Sequence, residues 1–427
     1  MSHMTPAHPL AAGIHAVAGV AEGFAATQAA WRFFSNPRAD LPSLAQPLLE
    51  HARQAVPQAC REHVLIDMDW SWLDYNHHEG KAHRADSGGG KGYNLLCALA
   101  IGDQAGQPLA PVCLELGDAR GIHSTRSASP LPLATNLDSL AAVMEHVAQA
   151  RLGRTPVFII DREGDSVGHM REWAAASRQF LVRACQRRVE HEGKATKLAT
   201  IAETLLAQGR FTKARDLVWR DGQEAVQHVA QAQVTLHRPA TKIRRVKGKK
   251  VTSFIPGPPL ALRLVISRVT NLEGKELSQW MLLTNLPESV DAATVALWYY
   301  WRWRIESSFK LMKQAGLQLE QWQQQSARAI VARLAVASMA CAVAWSLAHS
   351  DHPRAEETRK LLTSLSGRQM KWDKGKGRRA FTEPALLAGL MILIPVLHAL
   401  EKYDPQDLTQ MIRQVLPGML PPRKEDV

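Results

Sequence analysis

A chain of 427 residues with 52 Lys and Arg against 40 Asp and Glu, a net charge of +12, has room for more than one core and favours a polyanionic partner. The five cysteines, Cys60, Cys97, Cys113, Cys185 and Cys341, are scattered without a CxxC pair. That excludes a disulfide scaffold and a cysteine zinc site and fits a reducing cytoplasm. The opening MSHMTPAHPLAAG lacks a basic start followed by an apolar core, so no signal peptide is expected. The most apolar run, Ala385 to Val396, is too short for a bilayer, contains Pro395 and reads as a buried helix.

In chain order, residues 1–60 are Ala-rich and predicted helical. Asn36-Pro37 breaks one helix and Leu41-Pro42-Ser43 opens the next, while Arg32, Arg38 and Arg53 could touch phosphates but alone read as ordinary surface residues. HVLIDMDW (63–70) is a short apolar strand that ends in acids. Two further strands, 92–102 and 110–117, follow it. An amphipathic helix over 136–153, capped by Thr135 or Asn136, leads to the strand PVFIID (156–161), a helix over 165–176 and the strand QFLVRAC (179–185). This alternation describes a mixed α/β sheet, and its count fits a ribonuclease H-like arrangement. From about residue 190 to 288 the pattern lengthens into the alternating segments 225–237, 260–269 and 279–286, a β-rich insertion. Inside it, Lys242, Arg244, Arg245, Lys247, Lys249 and Lys250 surround Gly248 in a hairpin or loop suited to DNA phosphates, with a solvated turn as the plainer reading. Ser326 to His349 is an Ala-rich helix expected to pack beside the stretch that precedes it, and a basic loop over 371–379 leads to the terminal helices.

That preceding stretch is WYYWRWRIESSFKLMK, residues 298–313. On one continuous helix Tyr299, Arg302, Glu306 and Lys313 fall within an arc of about 60°, and Trp298, Trp301, Ile305, Phe309 and Met312 fill the adjacent, buried arc. A carboxylate flanked by a phenol, a guanidinium and an ammonium suits a metal-holding acid beside a clamp for DNA phosphates. The plainer reading is an amphipathic helix with a solvated charged face. Asp69 is expected at the end of the first strand and Asp161 at the end of the fourth, where sites gather in α/β sheets. With Glu306 they offer three carboxylates for two divalent ions, Mg²⁺ or Mn²⁺. Such a pair activates a water or a 3′-hydroxyl and stabilises the leaving oxygen in attack on phosphorus. Asp67 and Asp74 compete with Asp69, and Asp165 with Asp161. Alternation places Asp67 and Asp69 on the same face and does not choose between them. SGGGKGY (87–93) lacks the Gly-Lys-Ser/Thr ending of a phosphate loop, and His77, His78 and His83 lie in a polar loop without a partner cysteine motif.

These residues resemble the DDE transposases of bacterial insertion sequences, in particular the insertion sequence four group with its Y-x2-R-x3-E-x6-K signature. Tyr299, Arg302, Glu306 and Lys313 match that spacing without a gap. DREGD (161–165) resembles the second-acid motif, whose leading Asp is the ligand, and DWSWLDY (69–75) resembles the D-x-x-x-L-x-Y pattern of the first acid, which selects Asp69. WMLLT (280–284) resembles the stretch whose tryptophan holds a flipped base, a role that passes to Trp280, with a core strand aromatic as the alternative. AAWRFFSNPR (29–38) looks like the end of the family's N-terminal DNA-binding region, so the resemblance covers about residues 25–350.

The resemblance implies a ribonuclease H-like core interrupted by a β insertion. It also implies cut-and-paste transposition by a homodimer that holds both terminal inverted repeats, with a DNA hairpin at the cleaved end. The acids would hold the metal, and Arg302, Lys313 and Tyr299 the backbone near the cut. The expected organisation is a short DNA-binding region over 1–60, core over 61–189, insertion over 190–288, core with the Glu306 helix over 289–349, and a C-terminal dimerisation region over 350–427. The expected setting is a bacterial cytoplasm, at the nucleoid. The region ahead of Asp69 is shorter than in long relatives, which motivates a second reading: a DNA-binding regulator or decayed copy that does not cut.

Overall fold

The apolar runs around Val64–Met68, Leu95–Ile101 and Val157–Ile160 are buried at nearly every position, the pattern of strands covered on both faces. The computed structural model describes residues 23–87, 90–219, 222–246, 249–368, 371–373 and 378–415. Helices α1 (Gly23–Ser35) and α2 (Leu41–Ala59) precede the strands β1 (His63–Asp74), β2 (Ala85–Ser87), β3 (Gly90–Gly102), β4 (Pro108–Gly117) and β5 (Ile122–Ser124). Then come α3 (Asn136–Gln149), β6 (Thr155–Ile160), α4 (Val167–Ala175) and β7 (Gln179–Arg183). The next stretch holds β8 (Arg188–His191), β9 (Lys194–Lys197), α5 (Leu198–Ala207), β10 (Thr212–Val218), β11 (Glu224–Leu236), β12 (Ala240–Val246), β13 (Lys249–Ile255), β14 (Leu260–Asn271) and β15 (Glu276–Thr284). The chain closes with α6 (Ala292–Trp301), α7 (Trp303–Lys310), α8 (Ala327–Ala348), α9 (Ala355–Leu365), β16 (Lys371–Asp373), β17 (Arg378–Ala380), α10 (Glu383–Leu400) and α11 (Pro405–Val415).

One 13-stranded sheet runs β5-β4-β3-β1-β6-β7-β15-β14-β11-β8-β9, with β2 on β3 and β10 on β11. β1 is antiparallel to β3 and parallel to β6, and β6 is parallel to β7. The later strands join this half through β15, which pairs antiparallel with β7 over Leu282↔Arg183 to Thr284↔Leu181. Helices α2 and α8 lie on β4, α3 on β4 and β6, and α4 on β7. At the N-terminal side the Asp40 carboxylate caps α2 by accepting from the Ser43 amide at 3.0 Å. Arg328 of α8 donates to the carbonyls of Asn36, Pro37 and Ala39 and pins the break between α1 and α2.

Three expectations need correcting. β1 does not end at Asp69. It pairs with β3 as far as Asp74↔Gly92, because Trp70 and Trp72 favour a pleated strand, so Asp69 lies within it. The long apolar helix α8 packs on β4 and α2 rather than beside α6 and α7. Its side chains are buried on every face, so no single stripe tied it to the Glu306 region. Helix α10 is buried only through Ala385, Leu386, Leu387 and Gly389, while Ile392, Val396, Leu397 and Leu400 are exposed. Both α8 and α10 have the length and apolar content to cross a membrane; α8 is instead mostly enclosed by the protein. The basic segment is an antiparallel hairpin of β12 and β13. Lys247, Gly248 and the side chains of Lys242, Arg244, Arg245, Lys249 and Lys250 lie outside the described residues, and so does their expected contact with phosphates.

Candidate active site

The site is assembled where β1, β6 and α7 meet. β1 and β6 stay in parallel register up to Met68↔Ile160. One residue further on, Asp69 and Asp161 come near enough for the charge of Asp161 to act on the Asp69 carboxyl. Asp161 leaves the sheet at once, its Oδ1 accepting from the Glu163 amide at 2.7 Å and capping the short 3-10 turn Arg162–Gly164. Asp69 accepts from the Trp70 amide at 2.8 Å.

The chain from Trp298 to Lys313 is not one regular helix. At Arg302 the ladder tightens to i→i−3 bonds, Arg302 N–H to the Tyr299 carbonyl and Ile305 N–H to the Arg302 carbonyl. From Leu311 to Ala315 it widens into a π turn. The expected single arc is therefore divided. α6 packs on β11 and β14, and α7 packs on β1. Tyr299 falls on the buried side, 4% exposed, where its ring meets Trp280 edge-on at 5.4 Å. Trp298, Ile305, Phe309 and Met312 are buried as the periodicity predicts. Trp301 is half-buried over the β3–β4 turn, where Gly106 at φ +65° leaves space for its ring. Trp298 donates to the Asp103 carbonyl at 3.3 Å, and the Asp103 carboxylate accepts from the amides of Arg61, Glu62 and His63. α6 is thereby fixed to the start of β1.

From that anchorage Arg302 reaches both acids. Its Nη1 donates to Asp69 Oδ2 at 2.9 Å and its Nη2 to Glu306 Oε1 at 2.7 Å. The side chains of Arg302, Asp69 and Glu306 are 12%, 18% and 34% exposed. Burial pushes the Asp69 carboxyl up to about 6; Arg302 and the Trp70 amide oppose that shift, and Asp161 and Glu306 add to it. Burial works against the charge of Arg302, but Tyr299, Asp69 and Glu306 outweigh it and hold the guanidinium above its ordinary value. Lys313 is engaged elsewhere: Nζ donates to the Trp72 carbonyl at 2.6 Å and pairs with Glu320 at 2.8 Å.

The rival acids differ in surroundings. Asp67 is completely buried, neither carboxylate oxygen has a hydrogen-bond partner, and burial drives its carboxyl well above the ordinary range. Asp165 is tied to Arg187 at 2.6 Å and accepts from the Cys185 amide at 2.6 Å. The Asp74 amide is held by Glu320. Two contributors escaped the sequence reading. Arg183 of β7 lies 6.0 Å over the Trp280 ring and hydrogen-bonds Tyr299; a lone charge in the apolar run QFLVRAC was its signal. Glu320 had no signal, because its role depends on the fold bringing it back to β1. Among the described residues no group of three or more His, Cys, Asp or Glu side chains is placed to hold an ion. The acids around Arg302 are nonetheless an all-oxygen set of the kind hard divalent ions take. Asp67, whose oxygens have no hydrogen-bond partner, is close enough to feel the charges of Arg302 and Asp69.

The transposase DDE domain matches residues 61–343, well over half of the chain. Among solved structures, a piggyBac transposase in a synaptic complex with hairpin DNA is similar over 86% of this chain, at 10% identity and a TM-score of 0.28. The match spans 60% of that transposase. No curated protein matches the chain.

Proposed function

The chain belongs to the DDE transposase family, and from that premise we propose that it cuts DNA at the terminal inverted repeats of an insertion sequence and transfers the ends to target DNA. The observation that carries this reading is one guanidinium holding Asp69 and Glu306, from elements far apart in sequence, with Asp161 brought alongside by strand register. The spacing of Tyr299, Arg302, Glu306 and Lys313 supports the insertion sequence four group. The order β4-β3-β1-β6-β7, an antiparallel meander followed by a parallel pair, supports a ribonuclease H-like core that the β8–β15 region interrupts.

Asp69, Asp161 and Glu306 are the residues that would hold Mg²⁺ or Mn²⁺. Asp69 suits the first place better than Asp67 because it reaches solvent, and Asp161 suits the second better than Asp165, which Arg187 neutralises. Two bound ions supply activation of a water or 3′-hydroxyl and charge relief at the leaving oxygen. The chain itself supplies grip and alignment. Arg302 offers a planar fork matched to a phosphate and Lys313 a point charge. Tyr299 lies with its ring 6.0 Å from the Arg302 guanidinium and helps to keep it charged. Trp280 and Arg183 form the aromatic and cationic wall against which an unstacked base would rest. The reading includes a homodimer pairing two ends through the region after residue 350, and a bacterial nucleoid setting.

The test is an end-labelled duplex carrying one terminal repeat, incubated with and without Mg²⁺ beside Glu306→Gln. Metal-dependent nicking at the repeat boundary by the native protein alone supports the reading. Binding without cutting favours the regulator, and equal cutting of an unrelated duplex favours a sequence-neutral nuclease.

A further inference from the structure

We propose that Arg302 is a lock on the metal position: it occupies Asp69 and Glu306 until a DNA phosphate draws it away, so that metal binding depends on bound DNA. The inference rests on the reading above, in which these acids hold the metal. Each of the fork's two amino groups bonds one oxygen of one carboxylate, Nη1 that of Asp69 at 2.9 Å and Nη2 that of Glu306 at 2.7 Å. An ion shared by the same two carboxylates would sit about 2.0–2.6 Å from their oxygens. That is the space the guanidinium nitrogens fill, and a divalent ion a few ångströms from a fixed guanidinium is repelled in a partly buried site. Arg302 and a shared ion therefore exclude each other.

The same residue has the geometry to leave. Its fork satisfies two separate carboxylates through one bond each, whereas a phosphate offers both acceptors on one group. When the fork turns to a backbone phosphate, Asp69 and Glu306 lose their counter-charge and the ion replaces it. Lys313 does not share this role, because its anion is Glu320, outside the acid set. Linkage makes the coupling reciprocal, so the ion tightens DNA binding by the same factor that DNA tightens ion binding. A fork that stayed on the acids as a permanent support would act in the opposite sense, and its removal would weaken metal binding.

The experiment is Mn²⁺ titration read by loss of the free-ion electron paramagnetic resonance signal. It uses the full chain alone and with a pre-cleaved duplex end that has no bond left to cut, with the duplex alone as blank. The native chain should bind Mn²⁺ at least about 10-fold more tightly with the duplex. Arg302→Ala without DNA should come within about 3-fold of that duplex-bound value. Arg302→Gln, which keeps most of the side-chain length, should behave as the Ala variant does and stands in if that one melts early. Equal Mn²⁺ affinity of the native chain with and without duplex overturns the lock, as does weaker binding by both variants. No Mn²⁺ above the blank in the native complex, or full Mn²⁺ binding by Glu306→Gln, removes the metal reading itself and the lock with it.

Discussion

The two halves of the sheet are built differently. In the acid-bearing half, β3 and β4 are buried at almost every position, and β1 is buried up to Met68. In the half formed by β8–β15, β14 is buried at most positions, but β11 alternates between buried and partly or fully exposed positions and β10 has no buried residue. Strands wrapped on both sides hold a carboxylate still, because each neighbouring side chain is fixed by close packing. A strand open on one side presents a face instead. α6 and α7 cross from one half to the other, and the tightened turn at Arg302 marks the crossing. The catalytic candidates thus sit at a seam: Tyr299 and Trp280 on the β8–β15 side, Asp69 and Glu306 on the rigid one.

The largest expected effects separate chemistry from support within the rigid half. Asp69→Asn should lower metal-dependent nicking by more than about 100-fold, since even groups behind metal ligands typically cost 10- to 100-fold. Asp165→Asn should instead lower folding stability by about 3–5 kcal/mol, because it leaves Arg187 and the Cys185 amide facing a weaker partner in a buried place. Urea unfolding and a nicking assay on both variants read the split. If Asp165→Asn is as stable as the native chain and loses nicking, the assignment of the second acid moves from Asp161 to Asp165. Gly106→Ala tests the anchorage of the seam. At φ +65° its methyl would strain the turn and meet the Trp301 ring, so a loss of about 1–3 kcal/mol is expected. An unchanged melting temperature would show that Trp301 does not fix α6.

Lys81 gives a prediction with a pH signature. It is buried, bonds the carbonyls of Trp322 and Gln324, and lies 4.5 Å over the Tyr75 ring. Burial, helped by Arg333, pushes its amine down to about 8. An unfolded lysine titrates near about 10.4. Between these values the unfolded chain binds a proton that the folded chain has released, so stability contributed by this group rises with pH from about 8 to 10.4. Below about 8 both states are charged and the burial penalty is felt in full. Lys81→Met should cost about 1–3 kcal/mol through the two carbonyls it leaves unbonded. The native-minus-variant difference should widen as pH rises through this window. A difference that stays flat between pH 8 and 10 would show that the amine is not held down.

What the sequence disclosed follows from which forces are local. Apolar runs mark β1, β3, β6 and β7 because burial on both faces requires them, and Thr135 caps α3 because an orphan amide needs its hydroxyl. The helix arc through Glu306 misled at two places because a fixed step per residue assumes an unbroken ladder. The turn at Arg302 and the π turn beyond it put Tyr299 inside the protein and Lys313 against Trp72 and Glu320. Alternation could not rank Asp67 against Asp69, since both face the same way; only the depth of each in the fold separates them. The shared hold of Arg302 on Asp69 and Glu306 joins residues more than two hundred positions apart, and spacing within one segment carries no trace of it.

The smallest effect tests the comparison from its open side. Leu272, next to the end of β14, is 69% exposed, whereas Leu99 in β3 is completely buried. Leu99→Ala removes packing on a strand enclosed on both faces and should cost about 2–5 kcal/mol. Leu272→Ala removes only surface that water already covers and should change stability by no more than about 0.5 kcal/mol. Urea unfolding of the two variants measures the ratio. A Leu272→Ala cost approaching that of Leu99→Ala would mean that this rim of the β8–β15 half is covered in solution, and that the two halves of the sheet do not differ in the way their burial describes.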